Sequence, residues 1–169
     1  MPAEKPAHDP VALTAARVGI ISDTHGWLDP RVLEVFSAEG VLAIVHAGDV
    51  GADHVLYELE AVAPVTAVLG NCDHTVPGWE LARIARTTVA GARFCAIHDF
   101  HDLGPATDQV DVVVCGHTHQ PRNEWHGRTL VVNPGSATQR RRMPACSVGI
   151  VDIAETGVSA RIITLSPRG

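Results

Sequence analysis

Three short apolar runs rich in β-branched residues, Arg17 to Ser22, Val41 to His46 and Val65 to Leu69, alternate with two stretches whose apolar residues recur at helical spacing. Runs of this length bounded by polar residues read as buried strands. In the first intervening stretch, Asp29-Pro30 has the chemistry of an N-cap and a first helical residue, Val32, Leu33, Val35 and Phe36 supply an apolar side, and Gly40 ends it. In the second, Asp53 is placed to cap a helix with Val55, Leu56, Leu59 and Val62 inward, and Pro64 stops it. A βαβαβ order predicts a parallel sheet covered on both faces. Polar residues fall just after each strand, at the carboxyl edge where open α/β sheets bind ligands.

The second half reads differently. Ile84 to Val89, Ala92 to Ile97, Val110 to Cys115, Thr129 to Asn133, Ala145 to Ile153 and Val158 to Leu165 all look like strands. Gly91 and Glu155-Thr156-Gly157 mark hairpin turns, and helix is confined to a short stretch near His101 to Ala106. A second, largely antiparallel or mixed sheet packed on the first is expected. At 169 residues the chain can bury a sizeable core without staples. One α/β domain over 17–169 is expected, after a loose leader over 1–16 that carries Pro2, Pro6 and Pro10.

Composition excludes several functions. A net charge of −6 leaves no basic footprint for nucleic acid beyond Arg140-Arg141-Arg142. No run approaches the roughly 18 apolar residues of a membrane span, and the N-terminus lacks the pattern of a signal peptide. The four cysteines, Cys72, Cys95, Cys115 and Cys146, are scattered and form no C-x-x-C, which suits reduced thiols and a cytoplasmic location. His46, inside an apolar run, reads as a core or supporting imidazole, and His54 as a surface residue.

The chemistry lies in five polar clusters that each end an apolar run: Asp23-x-His25, Gly48-Asp49, Gly70-Asn71, His98-Asp99 and Gly116-His117-Thr118-His119. Singly they are weak. Together they bring carboxylate, imidazole and amide oxygen donors to one sheet edge. Asp-x-His and His-x-His place both side chains on the same side of an extended segment, so each pair can chelate. The glycines before Asp49, Asn71 and His117 allow tight turns or close backbone approach. A mixed nitrogen and oxygen set without thiolate suits Mn²⁺, Fe²⁺, Zn²⁺, Co²⁺ or Ni²⁺ rather than Mg²⁺ or Ca²⁺.

The order D-x-H, G-D, G-N, H, G-H-T-H resembles the calcineurin-like metallophosphoesterase superfamily over about residues 17–165. The short length, and Asn133-Pro134-Gly135-Ser136 after G-H-T-H, resemble its small bacterial and archaeal phosphodiesterase branch, which also includes a retromer scaffold subunit. The resemblance implies a four-layer αββα sandwich and two divalent ions per chain, manganese first among the candidates. By motif position, Asp23, His25, Asp49 and His119 would hold one ion. Asp49, Asn71, His98 and His117 would hold the other, with Asp49 as bridge. It further implies in-line attack on a small phosphodiester by a metal-bridging hydroxide. A phosphomonoesterase or nucleotide phosphatase, and a metal-stabilised interaction scaffold, are the alternatives.

One departure concerns the proton donor. Many superfamily members carry a histidine directly after the asparagine, where this chain has Cys72. A thiol is a weak donor and a poor substitute for an imidazolium. Asp73 aligns with the acid that often follows, and His74 is a nearby substitute, so Asp49, Asn71, Cys72, Asp73 and His74 form the catalytic candidates. The other departure is His98-Asp99-Phe100-His101, where relatives often show His-Gly-His; His101 reads as a surface residue or as part of the cleft wall. Arg140, Arg141 and Arg142 are placed to clamp a substrate phosphate, to lie in a solvated loop or to join the subunits of a homo-oligomer.

Overall fold

The computed structural model describes residues 12–104 and 109–166. In chain order the elements are β1 (Ala16–Ile21), α1 (Pro30–Glu39), β2 (Ala43–His46), α2 (Asp53–Glu60), β3 (Val65–Ala67), β4 (Ile84–Val89), β5 (Ala92–Ile97), β6 (Val112–Val114), β7 (Arg122–His126), β8 (Thr129–Asn133), β9 (Cys146–Ala154) and β10 (Gly157–Leu165). A single 3₁₀ turn, Phe100–Leu103, follows β5.

Two five-stranded sheets result, ordered β10-β9-β1-β2-β3 and β4-β5-β6-β8-β7. The parallel β1-β2-β3 unit matches the βαβαβ reading. The late strands do not all join a second sheet, however. β9 pairs antiparallel with β1, and β10 with β9, so the end of the chain completes the first sheet. A tight hairpin returns β10 along the full length of β9, which leaves the second sheet to β4 through β8. Both sheets are mixed. In the second, β5-β6 and β6-β8 are parallel while both edge pairs are antiparallel.

Helix α1 starts where the sequence placed it. The Asp29 carboxylate accepts from the Arg31 N–H at 3.0 Å, Pro30 follows, and Gly40 closes the helix in the left-handed region. For α2 the cap is Ala52, and Asp53 is instead the first helical residue. Its charge there favours the helix dipole, and its Oδ1 accepts from the His54 N–H at 2.8 Å. Both helices bury one face against the first sheet, with Val32, Phe36, Val55, Leu56 and Leu59 fully buried beside Ile21, Ile44 and Ile150. A second apolar layer lies between the sheets, built from Val18, Ile20 and Val45 on one side and Phe94, Val112, Val114 and Leu130 on the other. A third covers the outer face of the second sheet, where Cys95, Val113 and Val131 meet Leu103 of the 3₁₀ turn. This is the αββα layer order, with a thin fourth layer among the described residues.

The helix read near His101 to Ala106 is this 3₁₀ turn; Pro105 and Ala106 lie outside the described residues, as do residues 1–11 of the leader. Within the rest of that leader, Leu13 packs on the inter-sheet core, the Thr14 N–H donates to Ala90 O at 3.1 Å, and Ala16 opens β1. All four cysteines are free, with Cys95 and Cys115 buried, Cys146 half-buried and Cys72 exposed.

Candidate metal centre

Parallel strands send the ends of β1, β2 and β3 to one edge, and the second sheet sends the ends of β5 and β6 to the same edge. The loops there carry Asp23 and His25, Asp49, Asn71, His98, and His117 and His119. The structure brings all seven together. Around Asp23, the His119 Nε2 lies 3.2 Å from Oδ1 and the His25 Nε2 3.8 Å. His25 and His119 face each other at 3.4 Å between ring nitrogens. On the other side, Asn71 Oδ1 sits 2.9 Å from His98 Nε2 and 3.1 Å from His117 Nδ1. Asp49 lies between the groups, its Oδ2 3.3 Å from His98 Nε2 and 3.9 Å from His25 Nε2.

Backbone geometry at this edge is unusual. Among the described residues, seven that are not glycine have positive φ, and five of them are Asp23, His25, Asp49, His117 and His119. A left-handed conformation costs an ordinary L-residue roughly 1–2 kcal/mol, and such strain persists where surrounding contacts over-determine it. Two glycines let the loops close to this degree. A Cβ on Gly70 would stand 2.0 Å from Asp49 Oδ1, and one on Gly116 would stand 1.9 Å from Ser22 Oγ. No side chain other than hydrogen fits at either position.

Each ligand-type side chain is held by a partner on its far side. His98 Nδ1–H donates to Ala47 O at 2.8 Å, and His119 Nδ1–H donates to Gln139 O at 2.7 Å. Since a carbonyl can only accept, these bonds assign the ring protons and turn both Nε2 lone pairs inward. Asp23 Oδ2 accepts from the Ser22 hydroxyl at 2.7 Å and the His117 N–H at 3.1 Å. Burial works to raise the Asp49 pKa, but the neighbouring His98 ring and the Cys72 N–H, which donates to Oδ1 at 2.9 Å, outweigh it and hold the carboxyl well below its ordinary range.

His46 is wholly buried and neutral, its pKa pushed down to about 3 by burial. Its Nδ1 accepts from the Gly48 N–H at 3.1 Å, so its Nε2–H donates to Thr24 Oγ1 at 2.9 Å, and that hydroxyl donates to Val50 O at 2.9 Å. His46 therefore ties the Asp23 loop to the Asp49 loop. Asp73, read from the sequence as a catalytic candidate, is spent in the same way. Its Oδ2 accepts the N–H groups of Val50 and Gly70, and its Oδ1 that of Gly51, each at 3.0 Å. With its carboxylate so engaged and buried, Asp73 positions loops rather than facing the cleft.

Cys72 does face it. Its thiol, with His25 Nε2 or Nδ1 and an Asp49 oxygen, forms a group whose donor atoms lie within 4.8 Å of one another. Its hydrogen bond to the Asp49 carboxylate raises its pKa above the ordinary thiol value. His74 is exposed and lines a separate cavity with Val76, Trp79 and Leu81. His101 is exposed, with its Nδ1 3.1 Å from Asp99 Oδ1.

Whether these residues suit a cation is answered by their lone pairs. Asp23 Oδ1 is buried and has no hydrogen-bond partner. An orphaned anionic oxygen in the interior is costly unless a positive charge meets it. The inward Nε2 atoms of His98 and His119 are acceptors too, and they face other acceptors, Asn71 Oδ1 and Asp23 Oδ1. Acceptor against acceptor is repulsive without a proton or a metal ion between them. The donor set fits a divalent ion of borderline hardness.

Sequence reasoning missed the supporting shell. Ser136 Oγ donates to Asp23 O at 2.8 Å, Thr138 Oγ1 to Asp23 O and Thr24 O at 3.1 Å each, and Asn133 Nδ2 to Gly116 O at 2.9 Å. Asn133-Pro134-Gly135-Ser136 is thus a brace that fastens the Asp23 and His117 loops together. Its signal in the sequence was its place after G-H-T-H, which marks a family without telling what the side chains touch. Arg83, Ile84 and Leu69 were missed as well; with Asn71, His98 and His117 they line a cavity of about 350 Å³ beside the ligands.

Two mixed sheets with nitrogen and oxygen donors gathered at one shared strand-end edge define a metal-centre α/β protein of the phosphoesterase kind. The calcineurin-like phosphoesterase superfamily domain matches residues 17–156, and the chain belongs to that family. It is 35% identical over 162 residues to a "Probable metallophosphoesterase" of Methanothermobacter thermautotrophicus, covering 86% of this chain and 91% of that one. It is also 35% identical over 156 residues to the phosphodiesterase YfcE of Escherichia coli, covering 78% and 84%. Vps29 of Entamoeba histolytica complexed with zinc shares the fold, with a TM-score of 0.73 at 19% identity over 90% of this chain and 94% of that one. No described helix is long and apolar enough to cross a membrane.

Proposed function

We propose that this chain is a cytoplasmic phosphodiesterase that works with two divalent ions, manganese by preference, on small phosphoester substrates. The observation that carries the reading is the bare, buried Asp23 Oδ1 beside inward-turned histidine lone pairs. Asp23, His25, Asp49 and His119 would hold one ion, and Asp49, Asn71, His98 and His117 the other. When bound, such ions lower the pKa of water and offset charge on the transferring phosphoryl group. The names of the relatives support a diester as substrate.

The protein's own part is positioning. Ala47 O and Gln139 O orient His98 and His119, so neither ring has to reorient during turnover. Asn71 and His117 stand at the cavity mouth, where they meet the phosphate group. Cys72 is the side chain nearest to take the part of a leaving-group donor. As a neutral thiol it can offer a hydrogen bond but releases its proton poorly, so diesters with good leaving groups are favoured.

The test is metal analysis coupled to a chromogenic phosphoester panel. Two ions per chain, Mn²⁺-dependent diester turnover and its loss with chelator are expected. Faster monoester than diester turnover would instead make it a phosphomonoesterase. Absence of turnover with every divalent metal tried sinks the enzyme reading in favour of a scaffold.

A further inference from the structure

We propose that Arg141 and Arg142 build an anion subsite beside His119, which holds a second anionic group, phosphate or carboxylate, on the non-reacting arm of the substrate. The proposal deepens the phosphodiesterase reading and rests on it. A cavity of about 250 Å³ is walled by Thr118, His119 and Gln120 on one side and by the 140–143 turn on the other. His119 is a wall of this cavity and a member of the metal-ligand group, so an occupant lies against the reacting centre.

The turn is built to present its two middle residues. Met143 N–H donates to Arg140 O at 2.8 Å, and the Arg140 guanidinium donates to Met143 O at 3.1 Å. Arg140 thereby closes the turn, and Arg141 and Arg142 are left exposed along the cavity. Arg141 is held at φ 47°, a conformation in which glycine would be the unstrained choice. The turn cannot drift from the centre, because Gln139, just before it, accepts the His119 ring proton.

Pairing separates these arginines from five others. Arg17, Arg31, Arg93, Arg122 and Arg161 each meet a carboxylate. Among the described residues no such ion pair involves Arg141 or Arg142, and the chain as a whole carries a net charge of −6. Uncommitted guanidinium groups in an acidic protein create a local positive field, and their planar forks match the oxygens of phosphate or carboxylate. The cavity on the opposite flank differs. It is lined by Leu69, Ile84 and Ile97 together with Arg83, Asp99 and Asp102, so its apolar wall suits an organic arm and its charges are of both signs. A diester spanning the centre would thus meet two uncommitted guanidinium groups on one side and a largely apolar wall of mixed charge on the other.

The experiment compares p-nitrophenyl phosphodiesters that differ only in the second arm: neutral ethyl, anionic 2-phosphonoethyl and cationic trimethylammonioethyl. Wild type should favour the anionic over the neutral arm about tenfold or more in kcat/KM, as charged hydrogen bonds predict. The double variant Arg141→Ala/Arg142→Ala should lose that ratio, mainly through KM. Arg141→Lys/Arg142→Lys should retain part of it, since charge remains and the fork is lost. Independently of activity, inorganic pyrophosphate is titrated into metal-free protein by calorimetry, with about tenfold weaker binding expected for the alanine variant. An unchanged substrate ratio, or equal pyrophosphate affinity in wild type and the alanine variant, overturns the subsite. So does a change confined to subunit number in sedimentation, which would make the arginines an assembly contact. If no diester is turned over by any form, the phosphodiesterase reading fails, and the pyrophosphate titration alone decides whether the anion subsite stands.

Discussion

Asp23 uses one carboxylate oxygen to fasten the Ser22 hydroxyl and the His117 amide, and leaves the other bare. Asp23→Asn keeps the size and replaces a charge by an amide that can donate to His119 Nε2. It should lower metal content after dialysis at least about tenfold, while the metal-free protein melts at the same or a higher temperature because the orphan is gone. Metal analysis and thermal melts of the same preparations check both halves. Cys72 gives the complementary case, a residue that touches the centre but lacks the chemistry of an acid. Cys72→His should raise kcat for diesters with alkoxide-like leaving groups by about 10²-fold and leave p-nitrophenyl esters little changed, which a leaving-group series would reveal. At this scale the sequence was informative about donors and, beyond reading His46 as a core or supporting imidazole, silent about their supports. Asp, His and Asn in D-x-H, G-D and G-H-T-H announce a ligand set by chemical type. That Asp73 is consumed by three backbone N–H groups, and that His46 bridges two loops, depends on contacts made across loops far apart in the chain.

Elements were legible where local chemistry and burial agree. Asp29-Pro30 and Gly40 mark α1 at both ends, and β4, β5 and β8 have the bounds read for them in the sequence. Strand β7 was not legible. Its residues Arg122, Asn123, Glu124, Trp125 and His126 are polar or exposed, and it exists because the edge of β8 supplies a partner. The assignment of β9 and β10 to the first sheet was equally hidden, since a strand's own pattern does not say which edge it joins. Energetically, α1 rests on Phe36, fully buried against the first sheet. Phe36→Ala should destabilise the metal-free protein by about 3–5 kcal/mol, measured by urea unfolding. Because Phe36 packs against Gly19 within β1 and not against the strand-end loops, the variant should keep its metal stoichiometry wherever it remains folded.

Across the whole molecule, the charges that bind one end of the first sheet together are Arg17 and Arg161 with Glu39 and Asp152. The Arg161 guanidinium donates to Asp152 Oδ2 at 2.7 Å and to Glu39 Oε2 at 2.9 Å, joining β10 to β9 and to the end of α1. The hydrogen bond from Arg161 is the largest cause holding both carboxyls below their ordinary values. A depressed folded-state pKa contributes stability above the unfolded value, and that contribution is lost as pH falls through the folded one. Arg161→Ala should therefore melt lower than wild type at pH 7, by no more than about 1 kcal/mol for so exposed a network. The gap should close on the acid side of about pH 4 and shrink with added salt. Melting curves over pH for both proteins provide the check.

The seven donor residues come from both sheets: Asp23, His25, Asp49 and Asn71 from loops of the first, His98, His117 and His119 from loops of the second. An ion gripped from both sides would act as a rivet through the seam where the sheets meet. Such a rivet would couple two halves that share mainly apolar contact. Amides of β1 and β6, one in each sheet, should gain protection from hydrogen exchange together when metal is added. The melting temperature should climb with free metal as mass action requires, by about 2.7 kcal/mol of stability at a hundredfold excess over the dissociation constant. Protection that rises in the first sheet alone would show that the second sheet's histidines take no share in holding the ion.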